Sequence, residues 1–282
     1  QIACGSFHTM FLTDLGKVYG CGHNSGRQIN STGNTIITPT EVTVLPTSST
    51  DKIIQISCGA YYTMFLTESG KVYGCGKNDY YQVNSTKDVD GDTELDYIKD
   101  PKEITNFSPE ISHPDKIIQI ACGNEHTIFL TNSGKVYGCG RNDYYQVDSV
   151  RTEVNTRFVK ITPTEITDLP TDKIIQIACG WYYTMFLTDL GEVYGKGQND
   201  NKQINSDLSP VIYSYKILKS DFILSDGTSS PPLGNITQIA CGSYHTMFLT
   251  DIGEVYGRGY NYYKQILLNS DTNNNIYSPT KI

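Results

Sequence analysis

The chain has 282 residues, 38% of them hydrophobic and 18% charged, which is apolar enough to bury a core and excludes a wholly disordered segment. Against 30 Asp and Glu stand 22 Lys and Arg, a formal net charge of −8 with no basic run, so direct nucleic-acid binding and adhesion to an anionic membrane are disfavoured. No apolar stretch is long enough for a membrane helix and no signal-peptide pattern opens the chain; cysteines expected to be reduced argue against secretion, so a cytoplasmic or nuclear location is expected. Gln1 is not an initiator Met and stands inside a repeat, which predicts a segment of a longer protein.

Self-comparison along the chain finds one pattern five times. It reads IACGSFHTMFLTDLGKVYGCGHN from Ile2, ISCGAYYTMFLTESGKVYGCGKN from Ile56 and IACGNEHTIFLTNSGKVYGCGRN from Ile120. It returns as IACGWYYTMFLTDLGEVYGKGQN from Ile177 and IACGSYHTMFLTDIGEVYGRGYN from Ile239. The opening cysteines Cys4, Cys58, Cys122, Cys179 and Cys241 are 54, 64, 57 and 62 residues apart. All the variation falls between the cores, so insertions map to loops.

Within each copy, a lead segment such as DKIIQIAC (51–58) is β-branched, as strands are. A Gly follows, then TMFLT, a short turn and KVYGCG. The turn residues Asp14, Leu15 and Gly16 recur in every copy with Gly last, the signature of a three-residue hairpin loop whose Gly takes φ > 0. In TMFLT, Met10 and Leu12 point one way and Phe11 the other. Both faces are apolar, so each sheet must be covered on both sides, which stacking sheet on sheet achieves. No segment shows a capped helical period, so helix content is expected to be low. The prediction is an all-β β-propeller over 1–282, one domain of five repeats with about four antiparallel strands each, the cores starting near 2, 56, 120, 177 and 239. After each VYGxG come Asn and, four residues on, Gln: Asn24 and Gln28, Asn78 and Gln82, Asn142 and Gln146, Asn199 and Gln203, Asn261 and Gln265. The Pro-containing pieces near Ile37, Ile161 and Ser278 suit an edge strand or a connection.

These motifs resemble the regulator-of-chromosome-condensation repeat family, whose hallmark is an aliphatic residue, two small residues, Gly, two variable residues, His and an apolar strand. The segments 2–12, 120–130 and 239–249 match it, while Tyr62 and Tyr183 replace His in two copies. The resemblance implies a ring of about seven blades, of which this chain would supply five; a closed five-blade ring is the competing reading. It departs from the family where Gly precedes that Gln: Arg27, Tyr81, Tyr145, Lys202 and Lys264 stand there, which predicts a different outer loop.

Several residues invite a chemical reading. The eight cysteines lack CxxC spacing, and Lys196 and Arg258 replace Cys21, Cys75 and Cys139 in the last two copies, so reduced, buried cysteines are expected rather than disulfides or zinc ligands. The recurring pairs Gly5 and His8, Gly59 and Tyr62, Gly123 and His126, Gly180 and Tyr183, Gly242 and His245 are read as structural, the ring hydrogen-bonding a neighbouring loop, because Tyr is a poor substitute for a metal ligand. His23 and His113 show no evident partner. The GCG glycines are followed by no helix that would present a phosphate site, so they are read as close backbone packing, and no cofactor is expected. Sequons at Asn30, Asn84, Asn106 and Asn235 are of the kind that an Asn-rich chain carries by chance.

Paired tyrosines on the loops, Tyr80 and Tyr81, Tyr144 and Tyr145, Tyr262 and Tyr263, are the candidate partner-binding residues. The insertions 84–115, 148–172 and 205–235 are candidate specificity elements; the first carries Asp88, Asp90, Asp92, Glu94 and Asp96, suited to a basic partner. No nucleophile elbow, phosphate loop or His-Glu-x-x-His motif is present, so the chain is not expected to be an enzyme in itself. The expected function is a non-catalytic protein-binding scaffold. The resemblance implies two alternatives: guanine-nucleotide exchange on a Ras-like small GTPase, or the substrate-binding part of a ubiquitin ligase.

Overall fold

Each repeat core forms an antiparallel hairpin plus one strand on either side, as its β-branched runs and turn glycines dictate. A computed structural model of the chain describes residues 1–45, 51–86, 88–90, 93–150, 153–154, 157–206, 209, 211–223, 234–267 and 275–282. Sheet 1 contains Ile2–Cys4, His8–Leu12, Val18–His23 and Thr35–Glu41 in that order. Sheet 2 contains Ile53–Cys58, Tyr62–Thr67, Val72–Lys77 and Tyr97–Glu103, and sheet 3 contains Ile117–Cys122, His126–Thr131, Val136–Arg141 and Arg157–Glu165, with Glu153–Val154 as a short fifth strand. Sheet 4 is Ile174–Cys179, Tyr183–Thr188, Val193–Gln198 and Val211–Ile217; sheet 5 is Ile236–Cys241, His245–Thr250, Val255–Tyr260 and Asn275–Lys281. A small separate hairpin pairs Asp88–Asp90 with Thr93–Leu95. The one helical element among the described residues is a 3-10 turn at Lys219–Asp221.

The Pro-containing pieces lie in the fourth strands, which form the edge in sheets 1 and 5 and are flanked by the short fifth strand in sheet 3. Each pairs with the third strand through an irregularity, for instance between Gly20 and Gly22, and the proline-free Val211–Ile217 does the same between Gly195 and Gly197. The three-residue turns place Gly16, Gly70, Gly134, Gly191 and Gly253 at φ +79, +92, +93, +75 and +82. A Cβ on Gly16 would also lie 2.7 Å from the Cβ of Lys52 at the start of sheet 2. Gly16→Val is therefore expected to cost about 2 kcal/mol, read as a lower urea midpoint; an unchanged midpoint contradicts this turn.

The chain divides into two compact units. One spans 1–143 and 151–166 and holds sheets 1 to 3; the other spans 144–150 and 167–282 and holds sheets 4 and 5. In the first unit, Tyr62, Met64 and Leu66 on one face of sheet 2 pack against Ile117, Phe129 and Tyr137 of sheet 3. In the second, Tyr183, Met185 and Leu187 of sheet 4 meet Ile236, Phe248 and Tyr256 of sheet 5. All six residues of the second strand are buried in sheets 2, 3 and 4, as a strand apolar on both sides requires.

Polar contacts hold successive sheets in register. The Gln55 amide donates to the Ile120 carbonyl at 3.1 Å and accepts from the Ile120 N–H at 2.9 Å. Gln1 binds Ile56, and Gln176 binds Ile239, in the same two-point manner. In sheets 2, 3 and 5 the threonine of the second strand adds a latch: Thr63 donates to the Gln28 carbonyl at 2.7 Å, Thr127 to Gln82 at 2.7 Å and Thr246 to Gln203 at 2.9 Å. These buried bonds satisfy polar groups that would otherwise oppose the stacking.

The insertions are partly structural. Phe107 packs edge-on against Phe129 and Tyr137, and Phe222 does the same against Phe248 and Tyr256. Of the acids in the first insertion, Asp92 lies outside the described residues, and Asp88 pairs with Lys102 at 3.6 Å.

All eight cysteines are free, but only Cys75 and Cys139 are buried. Cys4 is exposed and the other five are half-buried, which corrects the expectation of uniformly buried thiols. Four of those five, with Cys4, end the first strand, which is the edge of its sheet. Lys196 and Arg258, which stand where the other three copies carry Cys21, Cys75 and Cys139, are fully enclosed. Lys196 binds both carboxylate oxygens of Asp168 at 2.9 Å, while Arg258 donates to the carbonyls of Lys202 and Tyr277.

Candidate functional site

Two loops meet at one end of every sheet. The first joins strands one and two and carries the two variable residues between Gly and His or Tyr. The second follows strand three and begins with the recurring Asn. A backbone bond ties them in each copy: His23 N–H to Phe7 O, Lys77 to Tyr61, Arg141 to Glu125, Gln198 to Tyr182 and Tyr260 to Tyr244, all at 2.8–2.9 Å.

The base of the first loop explains the Gly–aromatic pairs. A Cβ on Gly59 would lie 1.9 Å from Cε1 of Tyr62, and one on Gly180 1.8 Å from Cε1 of Tyr183. Gly5 and Gly242 stand likewise under the rings of His8 and His245 at 2.2 and 2.1 Å. The tyrosines reach the next sheet: the Tyr62 hydroxyl donates to the carbonyls of Gly123 and His126, and that of Tyr183 to Gly242 and His245. His8 makes the shorter equivalent, Nε2 to the Thr63 hydroxyl at 3.0 Å. These bonds place His8, Tyr62 and Tyr183 between one sheet and the next. Burial, and for His8 the His23 charge, lowers the pKa of His8 to about 4; burial alone lowers that of His126 to about 3. Imidazoles held neutral in this way are packing groups near pH 7.

The second loop is organised by its Asn and Gln. The Asn78 side chain accepts from the N–H groups of Val83 and Asn84 and donates to the carbonyls of Asn84 and Thr86. Asn24, Asn199 and Asn261 accept the equivalent pairs of N–H groups. Gln28, Gln82, Gln146, Gln203 and Gln265 each accept from the N–H two residues before. Between them, Arg27, Tyr81, Tyr145, Lys202 and Lys264 lie at φ +61 to +63. The outer loop thus keeps the left-handed turn that a glycine would adopt, and the predicted departure is one of side chain, not of backbone sign. His23, with no evident partner in sequence, bonds Ser25 at 3.0 Å and Gln28 at 3.1 Å.

The tyrosine pairs project from this scaffold unequally. Tyr80 and Tyr81, and Tyr144 and Tyr145, are half-buried, whereas Tyr262 and Tyr263 are 55% and 77% exposed. The Arg141 guanidinium lies 5.1 Å from the Tyr80 ring, and Tyr144 packs on Tyr182 at 5.5 Å. Sequence reading missed further aromatics at the same end: Phe7 and Tyr61 in the first unit, and Trp181, Tyr182, Tyr244 and Tyr260 in the second. Their signal is present in the two variable positions after each Gly and the position before each Asn. In the second unit they form a continuous series, with centroids 6.2 Å apart for Trp181–Tyr182, 5.1 Å for Trp181–Tyr244 and 6.2 Å for Tyr244–Tyr260. Trp181, Tyr244, Tyr260 and Tyr263 wall a cleft of about 540 Å³.

The comparisons with known proteins agree with this geometry. The family model described as the regulator of chromosome condensation (RCC1) repeat matches residues 1–28, 53–82, 117–146, 174–203 and 236–265, and a second model of the same repeat matches 16–66, 69–130 and 133–187. Each segment of the first set runs from the first strand to the Gln of the outer loop. The ultraviolet-B receptor UVR8 of Arabidopsis thaliana is 28% identical over 271 residues, which is 94% of this chain and 54% of the receptor. The human E3 ubiquitin-protein ligase HERC2 is 29% identical over 255 residues, 89% of this chain and 5% of the ligase. The chain therefore spans about half the length of one curated relative and a small part of the other. Yeast RCC1 (Prp20), solved bound to Kap60, has the same fold with a TM-score of 0.76 at 19% identity, covering 100% of this chain and 63% of that one. With the repeat model matching more than half of its residues, this chain belongs to the regulator of chromosome condensation (RCC1) repeat family.

Proposed function

We propose that the chain is a protein-binding module, and that the paired loops at one end of its sheets carry the partner contact. The observation that supports this most is the accumulation of aromatic side chains there on a framework of buried Asn, Gln and Gly. Tyr and Trp supply large contact area at low entropic cost, and rigid loops keep that cost low. Within this reading, the chain is the recognition part of a larger protein, such as a ubiquitin ligase. The 29% identity to a segment that is 5% of HERC2 supports it. Eight free cysteines suit a reducing, intracellular setting.

Exchange on a small GTPase is the second reading. The fold shared with yeast RCC1 (Prp20) supports it; exchange needs only a face that competes for the nucleotide-binding loop, and no covalent chemistry.

A pull-down comparing the chain with Tyr262→Ala/Tyr263→Ala tests the first reading. Both tyrosines are exposed, so the double variant is expected to fold with an unchanged Tm and to lose at least one captured partner. Equal recovery of every partner would remove these loops as the contact. A nucleotide-release assay against a panel of small GTPases tests the second; no acceleration by the chain with its native flanking sequence removes it.

A further inference from the structure

The fold already contains two receptors for a cation at this end of its sheets, and in both the cation is its own. In sheet 2 the Lys77 ammonium lies 5.9 Å from the Tyr61 ring centroid and 3.0 Å from the Asp79 carboxylate. In sheet 3 the Arg141 guanidinium lies over Tyr80, bonds Asp143, and pairs with Glu125 at 2.8 Å. The arrangement is positional: the cation precedes the loop Asn, the carboxylate follows it, and a tyrosine of a neighbouring loop offers its face.

Sheet 4 repeats the arrangement without the cation; in sheet 5 Tyr262 follows Asn261, so the carboxylate is absent as well. The position before Asn199 holds Gln198, and the one before Asn261 holds Tyr260. Asp200 still follows Asn199, is exposed, and has the neutral Gln198 amide at 2.6 Å where Asp79 and Asp143 have a charge. Asn201, the next residue, lines the cleft walled by Trp181, Tyr244, Tyr260 and Tyr263. Among the described residues, no Lys, Arg, Asp or Glu lines that cleft. The Tyr244 hydroxyl has its pKa raised by burial first, then by Tyr182 and Tyr144, and least by the charge of Asp200. His245 at its base has its pKa lowered by burial and adds no positive charge near pH 7.

We infer that this cleft takes an arginine side chain from a basic segment of a partner protein. Aromatic faces and a carboxylate attract a cation and repel an anion, and the chain's net charge of −8 adds to that preference. Arginine fits better than lysine because one planar guanidinium stacks on a ring and pairs with a carboxylate together, as Arg141 does with Tyr80 and Asp143. The cleft volume of about 540 Å³ lies within the range of ~300–1,000 Å³ usual for ligand sites. The inference rests on the protein-binding reading and specifies its chemistry.

Trp181 is the chain's one tryptophan and stands in the wall of the cleft, so its emission reports occupancy. The full chain is titrated with the blocked peptide Gly-Gly-Arg-Gly-Gly and with the same peptide carrying citrulline, a neutral near-isostere of arginine. The arginine peptide is expected to shift Trp181 emission saturably, and the citrulline peptide to bind about tenfold more weakly. Asp200→Asn, an exposed substitution that leaves Tm unchanged, is expected to weaken the arginine peptide severalfold without affecting citrulline, and Asp200→Glu to restore most of it. Equal binding of the two peptides, or an unaltered arginine affinity in Asp200→Asn, overturns the inference. If partner capture depends on Tyr262 and Tyr263 while the arginine peptide leaves Trp181 emission unchanged, the arginine site is refuted and the protein-binding reading stands.

Discussion

Gly59→Ala is expected to destabilise the chain by at least about 3 kcal/mol and to lower Tm by roughly 6–12 °C. The backbone at Gly59 is not left-handed, so alanine meets no conformational penalty of its own. Its Cβ would instead lie 1.9 Å from the Tyr62 ring. That ring cannot retreat, because its hydroxyl is bonded to the carbonyls of Gly123 and His126 and its body is wholly buried. Moving it would break two buried hydrogen bonds and open a gap between sheets 2 and 3. The cause is separable by a double-mutant cycle. Tyr62→Ala is costly alone, but with the ring gone, adding Gly59→Ala should cost less than about 1 kcal/mol. A Gly59→Ala penalty of the same size in both backgrounds would show that the ring is not what the methyl group strikes.

His8→Tyr is expected to flatten the acid side of the stability profile. His8 has an ordinary pKa of 6.5 when unfolded and about 4 when folded, lowered by burial first and then by the His23 charge. A depressed folded pKa means that the unfolded chain binds the proton more readily. The contribution is therefore intact above pH 6.5 and is lost as pH falls toward 4, by up to about 1.4 kcal/mol per pH unit and about 3 kcal/mol in all. His126 acts in the same direction down to about pH 3. Tyrosine does not titrate in this window, and the fold already accepts it in this slot at Tyr62 and Tyr183. Urea unfolding of the two proteins at several pH values between 6.5 and 4 should give a difference in stability that widens with acidity. Parallel curves would mean that His8 is free to protonate in the folded state.

Much of the fold was legible because it repeats. Five copies of one hairpin, with apolar residues at Met10, Phe11 and Leu12 and their equivalents, require two covered faces, and a turn ending in Gly16 requires φ > 0. Those are local properties of a strand and a loop. The candidate site was legible only in part. Tyr262 and Tyr263 are exposed as the loop reading expects, but Tyr80 and Tyr144 are engaged by Arg141 and Tyr182. Trp181, Tyr244 and Tyr260 went unnoticed because they occupy positions the repeat leaves variable, where no pattern singles out a residue. In sequence, Lys196 and Arg258 served only to argue against disulfides; the structure encloses them against Asp168 and a pair of carbonyls.

Sequence alone determined the repeat, the antiparallel hairpins and the turn glycines. Each depends on residues within one repeat, a few positions apart. The tertiary structure decided which amide clamps which strand, as Gln55 does Ile120, and which side chains share a cleft. Those are distances between residues far apart in sequence, such as Gln55 and Ile120 or Trp181 and Tyr263, set by how loops of variable length bring equivalent atoms of successive sheets together. A linear pattern records that such residues recur; only the stacking of the sheets places one against another.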